Sequence, residues 1–281
     1  MQKMSDQMNR EVFSRTQLLL GEAALDRLAH STVAVFGVGG VGSYVVEALA
    51  RSGVGHLVLI DSDVVALSNI NRQLLALHST VGRPKVDVMR ERILDINPDA
   101  RVETIQAFVL PDNAAGLIDP QWDYIVDAID TVSAKIELAV LAAAKNIPLI
   151  SSMGAGNKLD PTRFVVTDLY QTTTCPLSKV MRRELRKRGI LKLKVVYSPE
   201  EPLTPEVTEP SVMAPAVSAV VSVAPEAAAA TASAVTAEAA LTNELPRAPQ
   251  KRRIPGSVAF VPSVVGLIIA GEVIKDLVAE V

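Results

Sequence analysis

Polar residues placed after two apolar runs of this 281-residue chain have the types and spacing of a nucleotide site. Four glycines, three of which fit the pattern G-x-G-x-x-G, follow the first run: Gly37, Gly39, Gly40 and Gly42. Such glycines permit a sharp turn, a close approach of phosphate to the backbone and tight packing of a helix whose N-terminus faces the anion. Asp61 ends the second run about 20 residues on, where a carboxylate can accept hydrogen bonds from ribose hydroxyls. Together these features predict a bound nucleotide.

A second group of side chains lies beyond the carboxyl ends of the predicted strands, where ligands of open parallel sheets bind. Its members are Asp63, Asn71, Arg72, Gln73, Lys85 and Asp130. Cations of this group can offset the charge of a triphosphate, and the carboxylate of Asp130 can hold magnesium through its oxygen atoms. A hydride-transferring NAD enzyme has little use for such a set. The sequence also has no G-x-x-x-x-G-K-[ST] stretch, so a triphosphate bound outside a P-loop is the predicted ligand.

Apolar runs and helical patterns alternate along the chain, which predicts an α/β, Rossmann-like sheet that is mostly parallel and has helices on both faces. Residues 1–30 are a predicted helical segment, residues 31–198 the nucleotide-binding domain, and residues 253–281 a strand (255–261) and a helix (263–278) that complete it. A polar helix is predicted from about Asp112. Residues 199–252 are rich in alanine and proline, so we expect a disordered insertion that buries too little surface to offset its ordering entropy.

The composition favours a chain that works inside the cell. The only cysteine is Cys175, so neither an internal disulfide nor an all-cysteine zinc site can form. The polar N-terminus lacks an apolar signal core, and the longest apolar stretch, residues 258–270, falls short of the ~20 residues that span a membrane. The three histidines have no metal-ligand spacing. We therefore predict a cytoplasmic location with no stable membrane span.

A strongly basic helix is predicted near residues 177–188, where Glu184 is the only acid. Its candidate nucleic-acid contacts are Arg182, Arg183, Arg186 and Lys187. A solvated charged face is the alternative interpretation of this pattern. Cys175 lies just before this helix and has two candidate roles, a structural one and one as a nucleophile.

Five stretches resemble, in order, the motifs of the ubiquitin-activating-enzyme-like adenylyltransferases, the superfamily of MoeB and ThiF. They are Gly37–Gly42, Asp61–Asp63, Asn69–Gln73, Gly82–Lys85 and Asp127–Asp130. Within that superfamily the chain is most similar to the tRNA threonylcarbamoyladenosine dehydratases. That narrower resemblance is carried by residues 90–98, 150–156, 176–189 and 255–273.

The resemblance implies that ATP adenylates the carboxylate of threonylcarbamoyladenosine in tRNA and that ring closure then expels AMP. It implies that Asp61 binds the ribose, that Arg72 and Lys85 bind phosphates with help from Asn71 and Gln73, and that Asp130 binds magnesium. Arg15 matches an arginine that the family donates across a homodimer interface. Sulfur-transfer proteins are further candidate partners.

Two other functions are compatible with the sequence. An adenylyltransferase for the C-terminus of a ubiquitin-like sulfur carrier would share the ATP site, although such enzymes commonly carry a zinc-binding cysteine quartet that this chain lacks. A tRNA-binding protein without catalytic activity would have the same nucleotide-binding fold. The presence of Arg72, Lys85 and Asp130, however, argues against an inactive nucleotide site. Asp127 has a structural alternative as a support of the strand end beside Asp130.

Overall fold

The computed structural model describes residues 11–205 and 255–279. Its helices are α1 (Ser14–Leu20), α2 (Glu22–His30), α3 (Gly42–Arg51), α4 (Lys85–Ile96), α5 (Val132–Ala144), α6 (Pro176–Lys187) and α7 (Phe260–Val278). Its strands are β1 (Thr32–Phe36), β2 (His56–Ile60), β3 (Arg101–Ile105), β4 (Tyr124–Asp127), β5 (Leu149–Ser152), β6 (Val165–Asp168) and β7 (Lys194–Tyr197).

The seven strands form one sheet in the order β3-β2-β1-β4-β5-β7-β6. All neighbours are parallel except β6 and β7, which are antiparallel. Phe36 of β1 is level with both Ile60 of β2 and Asp127 of β4. The chain therefore leaves these three strands at the same edge, which brings Gly37, Asp61 and the loop after β4 together. The predicted fold class is confirmed.

Alternation along β1 shows how the sheet is covered on both faces. Val33 and Val35 belong to a core shared with α3, α4 and α7, whereas Ala34 and Phe36 belong to a second core shared with α5. Successive strand residues point to opposite faces, so a run that is buried throughout requires a helix layer on each side. The burial of β1 explains why it has no polar face.

The C-terminal part of the described chain differs from the predicted one. The predicted strand at 255–261 is wrong, because residues 255–258 have no regular structure and α7 begins at Phe260. Pro262 lies in the first turn of α7, where its missing N–H costs no helical hydrogen bond. The predicted helix near Asp112 is also wrong, since a turn and a short 3₁₀ helix, Ala114–Leu117, take its place.

Most of the predicted insertion lies outside the described residues. Its first residues are described and are fixed to the loop after β5. The carboxylate of Glu200 accepts hydrogen bonds from the backbone N–H groups of Leu159 (2.9 Å) and Asp160 (3.2 Å), and the Leu203 N–H donates to the Asn157 carbonyl (2.8 Å). Contacts with the domain therefore extend past the predicted boundary at residue 199.

Membrane-spanning helices are not found in the described ranges. No helix there is both long and apolar enough to cross a bilayer.

Candidate active site

The turn between β1 and α3 contains two glycines, Gly37 and Gly42, that no larger residue could replace. Gly37 has φ +87°, and a Cβ atom there would lie 2.7 Å from the carbonyl oxygen of Ala128. A Cβ atom on Gly42 would lie 1.8 Å from the Gly37 carbonyl oxygen. The turn is consequently tight, and α3 starts at Gly42 with its N-terminal N–H groups at the sheet edge.

Asp61 lies against this turn, at the end of β2. Its Oδ2 accepts a hydrogen bond from the Val38 N–H (2.7 Å), and its Oδ1 accepts one from the Asp63 N–H (2.8 Å). Burial raises the pKa of Asp61, against the opposing effects of the Lys85 charge and of these two N–H groups. Each carboxylate oxygen retains acceptor capacity, so the group can still receive ribose hydroxyls.

Lys85, the first residue of α4, forms an ion pair with Asp63. Lys85 Nζ lies 2.7 Å from Asp63 Oδ2, and the lysine side chain is 5% exposed whereas the aspartate is 63% exposed. The backbone joins the same two residues, since the Lys85 N–H donates to the Asp63 carbonyl (3.0 Å). The predicted residues Asp61, Asp63 and Lys85 therefore lie together.

Arg72 and Gln73 reach the turn from a short segment that follows the 3₁₀ helix Leu67–Asn69. The Arg72 Nη1 donates to the Ser68 carbonyl and to Asn71 Oδ1, both at 2.9 Å. A Cβ atom on Gly40 would lie 3.6 Å from the Cγ of Arg72, and one on Gly39 would lie 3.7 Å from the Nε2 of Gln73. These distances place both side chains beside the glycine turn.

Gln73 is buried, and its Oε1 has no hydrogen-bond partner among the described residues. A buried amide oxygen left without a donor is unfavourable. A bound ligand that brings a hydroxyl or a water to this position would relieve that cost.

Asp130 is exposed in the loop between β4 and α5, where its Oδ1 accepts a hydrogen bond from Thr131 Oγ1 at 3.4 Å. The described residues contain no group of three or more histidine, cysteine or acidic side chains close enough to hold a metal ion. Magnesium suits this donor set, because it usually takes one or two carboxylates and completes its octahedron with phosphate oxygens and water.

Asp127, in contrast, is a buried support of the strand end. Its Oδ1 lies 3.0 Å from Lys135 Nζ, and its Oδ2 accepts from Ser151 Oγ at 2.6 Å. Lys135 also donates to the Ile129 carbonyl (3.1 Å), so this buried ion pair holds the loop that carries Asp130. The structural alternative for Asp127 is the one that the geometry supports. Sequence reasoning missed Lys135 because a helical lysine is ordinarily solvated.

Arg15 precedes the other candidate site residues in the sequence, and it lies on the surface of the fold. It is exposed on α1, a helix with no buried residue, on which Leu18 and Leu19 are 86% and 88% exposed. The structure of one chain does not bring Arg15 into the site. Exposed leucines on an uncovered helix are typical of a surface that contacts another molecule.

The basic helix α6 divides its cations between internal contacts and solvent. Arg182 donates to the carbonyl and the hydroxyl of Thr172, and the Arg186 guanidinium stacks 5.2 Å from the ring centre of Tyr170. Arg183 and Lys187 are mostly exposed and pair with Glu184. Together with Lys179, the four predicted nucleic-acid contacts line a shallow surface depression of about 420 Å³. The depression is therefore cationic, but two of its arginines also anchor the helix.

Cys175 caps the N-terminus of α6 and is 4% exposed. Burial alone would raise the pKa of its thiol, but the nearby Ser178 hydroxyl and the backbone N–H groups of Ser178, Gly154 and Leu177 lower it. The lack of exposure favours the structural role over the nucleophilic one.

The C-terminal segment also reaches this site, which sequence reasoning did not anticipate. The Asn71 Nδ2 donates to the Ser257 carbonyl (3.0 Å), and a Cβ atom on Gly40 would lie 3.3 Å from the Cβ of Pro262. A Cβ atom on Gly266 of α7 would lie 2.5 Å from the Val41 carbonyl oxygen. Segment 255–262 and α7 thus cover the outside of the glycine turn.

Residues 13–280 match the model of the ThiF family, and the chain belongs to that family.

Within the family, the chain is similar to dehydratases that act on tRNA. It is 44% identical over 270 residues to the tRNA threonylcarbamoyladenosine dehydratase of Bacillus subtilis (strain 168), an alignment that covers 96% of this chain and 95% of that protein. A crystal structure of the Escherichia coli tRNA N6-threonylcarbamoyladenosine dehydratase, TcdA, in complex with ATP has a TM-score of 0.76 and 32% identity, and covers 96% of this chain and 95% of that one. By comparison, the molybdopterin-synthase adenylyltransferase of Escherichia coli (strain K12) is 36% identical over 171 residues, which cover 59% of this chain and 66% of that protein.

Proposed function

We propose that this chain is an ATP-dependent tRNA threonylcarbamoyladenosine dehydratase. The observation that carries the proposal is the convergence of Asp61, Arg72 and Lys85 on the glycine turn, in a chain that aligns over nearly its full length with dehydratases of this kind. The ATP complex of the Escherichia coli relative supports ATP as the nucleotide.

The reaction begins with nucleotide binding at the sheet edge. The glycine turn and the N-terminus of α3 receive the phosphates, and Asp61 accepts hydrogen bonds from the ribose. Arg72 and Lys85 offset phosphate charge; Lys85 exchanges its partner Asp63 for phosphate as ATP enters. Asn71 and Gln73 complete the polar wall beside Gly39 and Gly40.

The threonylcarbamoyl carboxylate of the tRNA attacks the α-phosphate, forms an acyl-adenylate and releases pyrophosphate. The side chain then closes on its activated carbonyl and expels AMP, so that one water is lost from the nucleoside overall. Fixed cations stabilise the charge that develops on the phosphates, which is the largest contribution expected of such a site.

A magnesium ion would be held by Asp130, the exposed carboxylate at the end of the loop that Lys135 and Asp127 fix. The ion would supply positive charge to the phosphate oxygens. The protein's own contribution is to keep Asp130 at a constant position relative to the glycine turn.

The homodimer is formed through α1, whose exposed Leu18 and Leu19 are covered by a second copy. Arg15 then enters the neighbouring ATP site and adds a cation to the phosphates. The enzyme acts in the cytoplasm, where its tRNA is found, and sulfur-transfer proteins are candidate partners.

Activation of a ubiquitin-like sulfur carrier is the weaker alternative. Relatives named for that chemistry align over little more than half of the chain, and Cys175, the only cysteine, is buried. A tRNA-binding protein without catalysis would not need the charges that surround the glycine turn.

The purified full chain tests the proposal. With ATP, magnesium and threonylcarbamoylated tRNA, we expect AMP and pyrophosphate to appear together with a modified nucleoside that has lost one water. The control is the same tRNA without the threonylcarbamoyl group, which should give no AMP. An unchanged nucleoside, combined with adenylation of a sulfur-carrier protein, would show that the alternative is correct.

A further inference from the structure

Asn157, in the loop after β5, has an unusual backbone conformation. Its φ is +58°, and among the described residues it is one of two non-glycine residues, with Asn146, that have positive φ. Asparagine tolerates this region better than most residues but still at a cost. A position that is kept in this conformation is held there by its contacts.

The contacts of Asn157 fasten two segments that are far apart in the sequence. Its side-chain Oδ1 accepts a hydrogen bond from the Gly256 N–H (2.7 Å), while its own N–H donates to the Gly256 carbonyl (2.8 Å). Its carbonyl accepts a hydrogen bond from the Leu203 N–H (2.8 Å). One residue therefore holds the chain both before and after residues 204–255.

From Gly256 the hydrogen bonds continue to the phosphate-binding arginine. The next carbonyl, that of Ser257, accepts from Asn71 Nδ2 (3.0 Å), and Asn71 Oδ1 accepts from Arg72 Nη1 (2.9 Å). The Asn71 amide therefore uses both of its polar atoms. Its nitrogen donates to the Ser257 backbone, which orients the amide, and its oxygen accepts from the Arg72 guanidinium, which the amide orients in turn.

We propose that Asn157 is a positioning residue for Arg72. Acting through Gly256, Ser257 and Asn71, it holds the Arg72 guanidinium in place beside the glycine turn. The inference rests on the proposed function, in which Arg72 contacts the phosphates of ATP. A long arginine side chain that is already held needs less ordering when the ligand arrives, and small displacements of a binding group weaken binding strongly.

The test compares equilibrium binding of ATP and of adenosine to the full chain. The variants are Asn157→Gly, which keeps the positive φ but removes Oδ1, Asn157→Asp, which keeps an acceptor, Arg72→Ala, and the double variant Asn157→Gly/Arg72→Ala. We expect Asn157→Gly to weaken ATP binding about tenfold and to leave adenosine binding unchanged, because adenosine has no phosphate for Arg72 to contact. Asn157→Asp should bind ATP as the unmodified chain does.

The double variant separates positioning from simple loss of structure. If Asn157 acts through Arg72, adding Asn157→Gly to Arg72→Ala should cause no further loss of ATP affinity. Additive losses, an equal loss for adenosine, or full ATP affinity in Asn157→Gly would overturn the inference while leaving the proposed function in place. An unchanged ATP affinity in Arg72→Ala would instead remove the phosphate role of Arg72, and the inference with it.

A second variant guards against failure of Asn157→Gly to fold, which a thermal unfolding curve would reveal. Gly256→Pro removes the N–H that donates to Asn157 Oδ1 and so breaks the same bond from its other side. It should reproduce the selective loss of ATP affinity. Retention of full affinity in this variant would contradict the proposed chain of contacts.

Discussion

Three aspartates near the carboxyl ends of β2 and β4 have different surroundings, from which we expect different functions. Asp127 is buried and paired with Lys135, Asp61 is half-buried and bonded to backbone N–H groups, and Asp130 is exposed to solvent. A buried carboxylate that is already paired supports structure, whereas one with free acceptor capacity can serve a ligand.

The raised pKa of Asp61 predicts a pH dependence of ATP binding. Only the ionised carboxylate accepts from both ribose hydroxyls, so affinity should fall as the pH decreases through the pKa of Asp61. That decrease should begin above the ordinary aspartate value of about 3.9, because burial raises the pKa. Measuring the ATP dissociation constant against pH, for the unmodified chain and for Asp61→Asn, checks this.

The ATP dissociation constant of Asp61→Asn is divided by that of the unmodified chain at each pH. Because both proteins bind the same nucleotide, this ratio removes the effect of the titration of ATP itself. At neutral pH the variant should bind roughly 10- to 100-fold more weakly, the value of a hydrogen bond to a charged group. Toward acid pH the difference should shrink. A constant ratio at all pH values would show that Asp61 does not bind the ribose in its ionised form.

Replacing Asp130 tests the proposed magnesium site. Asp130→Ala should abolish AMP formation while leaving the thermal unfolding temperature nearly unchanged, because the side chain is exposed and, within the described part of the chain, makes only a long hydrogen bond to Thr131. Asp26→Ala is the matched control, since Asp26 is an exposed aspartate on α2 whose only ion pair is with His30 in the described structure. Full activity in the Asp130 variant would exclude this residue as a magnesium ligand.

The sequence alone predicted the positions of those residues whose contacts depend on local spacing. Gly37, Gly42 and Asp61 were recognisable because the turn, the helix start and the strand-end acid lie close together in the chain. Asn157 and Ser257 gave no such signal, since their contacts with the Arg72 segment depend on how the loop after β5 and the C-terminal segment pack.

The cationic side chains of α6 differ in their contacts, so we expect them to differ in their contribution to tRNA binding. Arg182 and Arg186 hold the helix against Thr172 and Tyr170, whereas Arg183 and Lys187 face solvent beside Glu184. Hydrogen bonds from Arg183, Arg188 and Lys187 lower the pKa of Glu184 to about 2, so its negative charge persists at physiological pH.

Charge reversal at Arg183 should therefore weaken tRNA binding without disturbing the helix. Arg183→Glu should raise the tRNA concentration needed for half-maximal activity and reduce the slope of log affinity against log salt by about one or more. Arg101→Glu on β3 is the matched control, because Arg101 is equally exposed and also pairs with a neighbouring glutamate. Identical salt slopes for both variants would indicate that α6 is only a solvated face.

At the level of elements, the two apolar runs of the predicted nucleotide site are the strands β1 and β2. The strand predicted at 255–261 failed because a short apolar run suits a helix start as well as a strand. The antiparallel direction of β6 could not be predicted, since direction depends on how the chain crosses the sheet rather than on the pattern of one strand.

For the whole molecule, the exposed leucines of α1 and the isolated position of Arg15 predict a shared active site. Arg15→Ala and Asp130→Ala should each be nearly inactive alone. Mixed under conditions that allow subunit exchange, the two should recover about a quarter of the original activity, since half of the dimers are then mixed and each holds one intact site. Assays of AMP formation on the mixture measure this recovery.

Sedimentation of the same samples provides the control. Arg15→Ala should remain dimeric, whereas Leu18→Ser with Leu19→Ser should shift the protein toward monomer and lower its activity. Absence of recovery from a mixture shown to exchange subunits would mean that Arg15 does not serve the neighbouring site.

The contact between Asn71 and Ser257 has a consequence for biosynthesis. The two residues are 186 positions apart in the chain. A ribosome that adds about 5 to 20 residues per second needs roughly 10 to 40 s to cover that distance. Throughout that interval α7 is not yet present to cover the glycine turn and the apolar side of α3. We expect chaperones that bind exposed helix faces to bind a nascent chain in this state.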